Sequence, residues 1–315
     1  MTTRSAQPDP PTAAASPRSP RRRLCYVTAN DDPWLSVDWL NLHRMCRLDP
    51  GVSPIEVCLA VSEVRPAGRL DRAALRRLIG LVERCPHFEL RHAFFKDNTG
   101  RDFSSVGRCL RRLADDAGDD DAVMIVNRSA YGPFCENWYG AYLQQMERHP
   151  GAAACGTTIN LVGLPGADKH GVTTHIQTYA YVVRFGAVRP MLDAFPGERV
   201  WGNYEAVVDG EILLSNRLLR EGHALTCLAW PDVAFTWERP DGSPAGGGAA
   251  GPASLPFRHK FTKYRRRPVA AAQRLRCVAS TCLASPGETC RAVSRKVGST
   301  YAKLGRRVGR IAAGH

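Results

Sequence analysis

Two short stretches combine residue types that can hold an anionic or hydroxyl-bearing ligand. The first is Asp97, Asn98, Thr99, Gly100, Arg101 and Asp102 in succession. Gly100 lets backbone approach a ligand closely. Arg101 carries a guanidinium suited to phosphate, and Asp102 can cap a following helix or hold a hydroxyl. A plainer reading, a capped helix start with an exposed arginine, accounts for the same residues. The second stretch is Asn127, Arg128 and Ser129, which ends the apolar run 122–126. Amide and hydroxyl groups at the end of a strand can hydrogen-bond a ligand's oxygens. Downstream, His175 and Gln177 alternate, so an extended chain sets both on one face. Asp209 and Glu211 flank Gly210. The acidic run 115–121 (DDAGDDD) precedes a strand, at the opposite end from these groups, and reads as a solvated turn rather than a metal site.

The elements that must position these groups follow from hydrophobic periodicity. Segments 24–28, 55–61, 88–95 and 122–126 read as strands, and 34–48, 71–84 and 103–116 as helices, the second capped near Asp71. Strands alternating with helices imply a mostly parallel sheet with helices on both faces. Ligands of such sheets bind beyond the carboxyl ends of the strands. Three polar loops, 29–32, 97–102 and 127–129, fall at those ends. In the second half, 139–146 and 210–222 read as helices, 155–162 and 225–229 as strands, and 177–185 as either.

The 315 residues, 44% apolar with six Trp, suffice for one large domain with tails. The net charge of +13 is unevenly spread. Residues 1–23 form a basic, Pro-rich tail expected to be disordered, with a transit peptide as the alternative that its Ser, Thr and Arg content allows. Residues 24–241 form the body, 242–257 a Gly/Pro linker, and 258–315 a basic, partly helical tail. Body and linker together are mildly acidic, so the charge belongs to the tails. None of the eleven Cys falls in a C-x-x-C or zinc-like spacing, which suits a reducing, cytoplasmic setting.

Four motifs then run in a fixed order: N-x-G-R-D (98–102), N-x-S-x-x-G-P (127–133), H-x-Q (175–177), and G-E-x-x-x-S (210–215), with Gly222 closing the last helix. The ordered set resembles bacterial rhamnan synthesis protein F-like glycosyltransferases and related GT-A-type proteins. The resemblance implies a GT-A-like fold and transfer of a sugar from a nucleotide-sugar donor to a hydroxyl of a glycan or lipid-linked acceptor. It implies donor contacts from Asn98, Gly100, Arg101, Asp102, Asn127 and Ser129, and acceptor contacts from His175 and Gln177. Inverting transfer needs a general base. Glu205, Asp209 and Glu211 are the candidates, and Glu211 is chosen for its motif position at a helix start, with Asp209 second.

Many such enzymes end the fourth strand in Asp-x-Asp, which holds Mn or Mg. Asn127 and Ser129 stand there in this chain. Neutral oxygens are poor ligands for a hard dication, so no metal ligand is assigned and Mn or Mg is left open as cofactor. Arg101 or Arg128 would then take the phosphate charge. Trp138, Tyr139, Trp201 and Tyr204 are candidates to stack on sugar rings, with core packing the default for each. In the C-terminal tail, Val293, Val297, Tyr301, Leu304 and Val308 recur at helical spacing among cations, as in a helix lying on an anionic membrane. Nucleic-acid contact and a tail with no fixed partner compete with that reading. The rival function is a nucleic-acid- or membrane-surface-binding protein with an inactive α/β body.

Overall fold

Strand β1 (Arg22–Ala29) carries six buried residues in succession, a run that needs cover on both faces. The computed structural model, which describes residues 18–161, 166–240 and 255–259, provides it. β1 lies between β2 (Ile55–Glu63) and β4 (Ala122–Asn127), parallel to both, and β3 (Phe88–Asp97) adds to β2 in parallel. The helices between them are α1 (Ser36–Arg47), α2 (Arg69–Glu83) and α3 (Arg101–Leu113). The two-residue β5 (Ala130–Tyr131) and α4 (Gly140–Arg148) lead into β6 (Ala152–Gly156). β7 (Ile159–Asn160) pairs with β8 (His175–Ile176) outside the sheet. β9 (Ala180–Arg184) enters antiparallel between β4 and β6, and α5 (Phe185–Val188) follows it. A continuous helix comprises α6 (Asn203–Glu205), a π-helical turn (Ala206–Ile212) and α7 (Leu213–Arg220). β10 (Ala224–Cys227) and β11 (Ala234–Phe235) complete an eight-stranded sheet in the order β11-β10-β6-β9-β4-β1-β2-β3. This is the α/β architecture expected, a mostly parallel sheet with helices on both faces.

Side chains alternate across the sheet. Cys25 and Val27 of β1 join α3 and α7 in one core, while Leu24 and Tyr26 join α1, α2 and α4 in the other. The register aligns the strand ends: Val27 stands beside Asn127, Ala29 beside Ser62, and Glu63 beside Asp97. Three polar loops therefore open on one rim.

At the other rim the charge pattern differs from the expectation. Arg23 is fully buried and pairs with Glu56, Asp116 and Asp121 at 3.0 Å, and Arg21 joins the same carboxylates. The acidic run is thus partly an ion-pair network rather than a solvated turn, because a buried guanidinium needs several acceptors. The ordered body also begins before residue 24. At the far end, residues 255–257 pack as part of the body: Phe257 is buried, and β12 (Arg258–His259) pairs with β5. An apolar ring that finds a core overrides the linker composition around it.

Other boundaries shift for local reasons. Asp71 sits one turn inside α2, where its carboxylate accepts the Gly68 N–H at 2.8 Å. The expected strand 155–162 is split into β6 and β7 as the chain leaves the sheet, and the segment 177–185 holds a turn, β9 and α5 in place of one element. Among the described residues no helix is long and apolar enough to cross a membrane. The tail expected to be amphipathic falls in 260–315, outside the described residues.

Candidate active site

The loop after β3 is held from beneath by Lys96. Its ammonium is buried and donates to the carbonyls of Asp97 (2.6 Å) and Thr99 (2.9 Å) and to the Ser104 hydroxyl. Burial lowers its pKa to about 8. Gly100 takes φ 69° and lies against the Glu198 carbonyl, where a side chain would collide. Arg101 follows at φ 50°, left-handed geometry that is uncommon for a long side chain and costs about 1–2 kcal/mol. Strain of this kind concentrates at functional sites. Arg101 N–H closes the turn on the Asn98 carbonyl at 3.2 Å, so Asn98 shapes the loop through its backbone. α3 then starts, and Asp102 of its first turn faces a small pocket lined also by Val27, Asn127, Thr178 and Tyr181.

The end of β4 supplies Asn127. Its side-chain carbonyl accepts the Ser129 N–H at 2.8 Å, and its amide nitrogen reaches the Thr178 carbonyl at 3.4 Å. The residue thus turns the chain at the strand end and borders the pocket. Arg128 is tied to the end of β1, pairing with Asp31 and donating to the Ala29 carbonyl at 3.3 Å. Of the two arginines considered for phosphate, Arg128 is committed to the protein. Arg101 makes no ion pair among the described residues.

Glu211 stands behind Thr178, one of the residues that line the pocket. Thr178 Oγ1 donates to Glu211 Oε1 at 2.7 Å, and His175 Nε2 lies 3.5 Å from Glu211 Oε2. Burial raises the Glu211 pKa to about 7, assisted by the nearby Asp102 charge and opposed by the Thr178 hydrogen bonds. The G-E-x-x-x-S motif has a residue-by-residue explanation. Gly210 packs against the Phe103 ring, leaving no room for a Cβ. Ser215, four residues past Glu211 and on the same helix face, accepts the Ile176 N–H at 3.1 Å. The helix that carries the carboxylate thus also grips the H-I-Q segment. Asn216 adds a clamp, accepting from the Val172 N–H at 3.0 Å and donating to the Val172 carbonyl at 2.6 Å. Glu211 falls within the π-helical turn, a feature frequent at functional sites.

Arg101, Asp102, Asn127 and Glu211 therefore share one rim of the sheet, with Asp102 and Asn127 lining one pocket and Glu211 bonded to its Thr178 wall. The other candidates go elsewhere. Asp209 points away from Glu211, as residues two apart on a helix do, and pairs with Lys169 and His170, both at 2.7 Å. His175 is buried and offers no surface to an acceptor; it backs Glu211. Gln177 accepts from Thr158 Oγ1 at 2.7 Å. Its side chain parts from His175 because only His175 and Ile176 are extended and the chain turns at Thr178. Trp138 and Tyr139 are core residues, whereas Trp201 and Tyr204 are exposed. Asn216 and Lys96 carry no sequence signal, and Thr178 closes the His-x-Gln-S/T segment with no role assigned to it. Thr178 follows directly on the H-x-Q motif, but strand alternation assigns it to the opposite face.

The donor set at the β4 end does not fit a resident Mn or Mg. The Asn127 oxygen is occupied by an N–H, and the neighbouring Arg128 adds a guanidinium where a dication would need carboxylates.

No protein-family model matches this chain, and no curated protein does. Among solved structures, it is similar to a mannosyltransferase from Pyrobaculum calidifontis in complex with GDP-Man and Mn2+, at 12% identity over 91% of this chain and 81% of that one, with a TM-score of 0.40. It is also similar to mouse xyloside xylosyltransferase 1, at 10% identity over 64% of this chain and 82% of the other, with a TM-score of 0.39. A third is the bifunctional glycosyltransferase WbbM, at 11% identity over 67% of this chain but only 39% of that one, with a TM-score of 0.38.

Proposed function

We propose that the chain is a glycosyltransferase that moves a sugar from a nucleotide-sugar donor to an acceptor hydroxyl, with Glu211 as general base. The observation that carries this reading is a carboxyl with a pKa of about 7, held by Thr178 at the rim where the polar loops after β1, β3 and β4 open. A base is most effective when its pKa lies near the working pH. Glu211 in its ionised form takes the proton of the acceptor hydroxyl as the new bond to the anomeric carbon forms. The bond from that carbon to the diphosphate oxygen breaks, and the nucleoside diphosphate leaves with the electron pair. Arg101, unpaired and anchored by a rigid loop, meets the diphosphate charge. Asp102 and Asn127 border the donor sugar. With these roles the site works without a metal.

The test is a thermal-shift screen of the full chain against nucleotide sugars and, separately, polyanions. Stabilisation by one UDP-, GDP- or dTDP-sugar supports the transferase. Stabilisation by polyanions alone supports the rival reading of an inactive body with a basic tail, and ends this one.

A further inference from the structure

The ribbon of β5 and β12 gathers cations around one aromatic ring. Its turn uses the G-P pair that closes the N-x-S-x-x-G-P motif. Gly132, at φ 150°, lies against the Pro256 carbonyl, and the Phe134 N–H donates to that carbonyl at 3.0 Å. Asn41 of α1 grips the same turn, donating to the Ala130 carbonyl at 2.9 Å and accepting the Gly132 N–H at 3.3 Å. Phe134 is thereby held at the surface, 37% exposed. The Arg44 guanidinium of α1 lies over its ring at 5.2 Å, and that of Arg258 at 4.6 Å. Neither arginine makes an ion pair among the described residues, and Arg44 Nη1 and Arg258 Nε are buried with no hydrogen-bond partner. Arg47 is exposed and lies one turn beyond Arg44 on the same helix face. Cations partly stripped of water and lacking a counter-charge attract an incoming anion more strongly than hydrated ones.

We propose that Arg44, Phe134 and Arg258 form a contact site for the phosphates of an anionic lipid surface, with the Phe134 ring entering the headgroup layer between the two guanidiniums. An apolar ring flanked by cations matches the boundary between acyl chains and lipid phosphates. From β12 the chain continues directly into Lys260, Phe261, Lys263, Tyr264, Arg265, Arg266 and Arg267. The site therefore stands at the root of a segment of the same chemistry and adds to its attraction. Two acidic side chains belong to the adjoining turn. Glu136 accepts the Asp49 N–H, and Asp49 accepts the Gly51 N–H at 2.8 Å, so both carboxylates are engaged by backbone. Single-stranded nucleic acid suits the cluster less well. It needs an open ring face on which a base can stack, and Phe134 is already flanked by two guanidiniums and by Tyr131 at 5.0 Å, edge to face. The contact does not depend on transferase chemistry, since none of its residues belongs to the candidate active site.

Flotation of the full-length chain with phosphatidylcholine vesicles, with and without phosphatidylglycerol, tests this. Binding is expected only where phosphatidylglycerol is present. Arg44→Gln and Arg258→Gln should each weaken it about fivefold, equivalent to about 1 kcal/mol per cation lost. Arg44→Lys keeps the charge and should keep most of the binding. Phe134→Ala leaves the charge unchanged and should weaken binding about threefold or more. Arg148→Gln removes an equal charge from an exposed position on α4 and should stay within about twofold of wild type. Circular dichroism of each variant confirms its fold. Vesicle binding unchanged in both glutamine variants would leave the tail alone as the contact and overturns the site. So does an equal loss in Arg148→Gln, or no binding to any vesicle. Thermal stabilisation by inorganic phosphate without vesicle binding would make the cluster a small-anion site, and it overturns the lipid contact too. Tighter binding to single-stranded RNA than to vesicles, lost in Arg44→Gln, would make it a nucleic-acid contact and has the same consequence.

Discussion

Glu211 Oε2 faces His175 Nε2 at 3.5 Å, while the other nitrogen of that imidazole lies 2.6 Å from the Thr173 carbonyl. A carbonyl can only accept, so Nδ1 carries the hydrogen and Nε2 presents its lone pair to Glu211. Burial lowers the His175 pKa and keeps the ring neutral. Thr178 donates to one carboxylate oxygen, and His175 stands ready to receive from the other once it is protonated. In the proposed reaction His175 serves as a positioning residue, orienting Glu211 and offering its proton a second home.

The pH–rate profile follows from this. Transfer should rise with pH through an apparent pKa of about 7 and then level off. Thr178→Val removes a hydrogen bond that favours the ionised form, so the rising limb should move to higher pH. His175→Gln should change the shape of that limb more than it changes donor KM. Rate measurements from pH 5 to 9 on the three proteins check this, and a flat profile would contradict it.

The same carboxyl ties stability to pH. Its folded pKa of about 7 lies above the ordinary value of 4.5. Its contribution is therefore fully present below about pH 4.5 and lost as pH rises through 7, costing on the order of 2 kcal/mol once its partial exposure is allowed for. Glu211→Gln cannot ionise and should be more stable than wild type at pH 8, with the gap closing toward pH 5. Asp38, whose burial raises its pKa to about 6, is common to both proteins and cancels in the difference. Urea melts at several pH values give the comparison.

Arg101 should govern donor affinity. Arg101→Gln removes a charge-assisted contact to the diphosphate and should weaken nucleoside-diphosphate binding about tenfold or more. Activity should persist in EDTA, since the residues at the β4 end do not fit a dication. Calorimetry with UDP, GDP and dTDP reads the first effect. A loss in EDTA that Mn restores would contradict the second.

The loop that carries Arg101 has little tolerance at Gly100. Gly100→Ala meets a positive φ and a backbone carbonyl that cannot swing aside. It should cost more than about 1 kcal/mol and lower donor affinity together. Lys96→Met should loosen the same loop by freeing the carbonyls of Asp97 and Thr99. Thermal melts and nucleotide titrations measure both.

The parts of the fold built from local periodicity could be read from the chain. The runs in β1, β2, β3 and β4 and the apolar stripes of α2 and α3 repeat within a few residues, and so the rim and its three loops followed. Long-range choices were not legible. Whether Phe257 finds a core beside Trp138 depends on partners over a hundred residues away. The burial of Arg23 depends on three carboxylates from two other segments. At the site, Glu211 and Asn127 came from motif order and strand endings. His175 and Gln177 do not share a face, because alternation assumes an extended chain and this one turns at Thr178. The π-helical turn around Glu211 left no mark that a regular helical period could reveal.

The central claim is that Glu211 removes the acceptor's proton, and single-turnover transfer by Glu211→Gln tests it most directly. With the nucleotide sugar that stabilises the wild-type chain, the variant should bind donor with near-normal affinity and transfer at least about a hundredfold more slowly at pH 8. Transfer at the wild-type rate would show that some other group does this work.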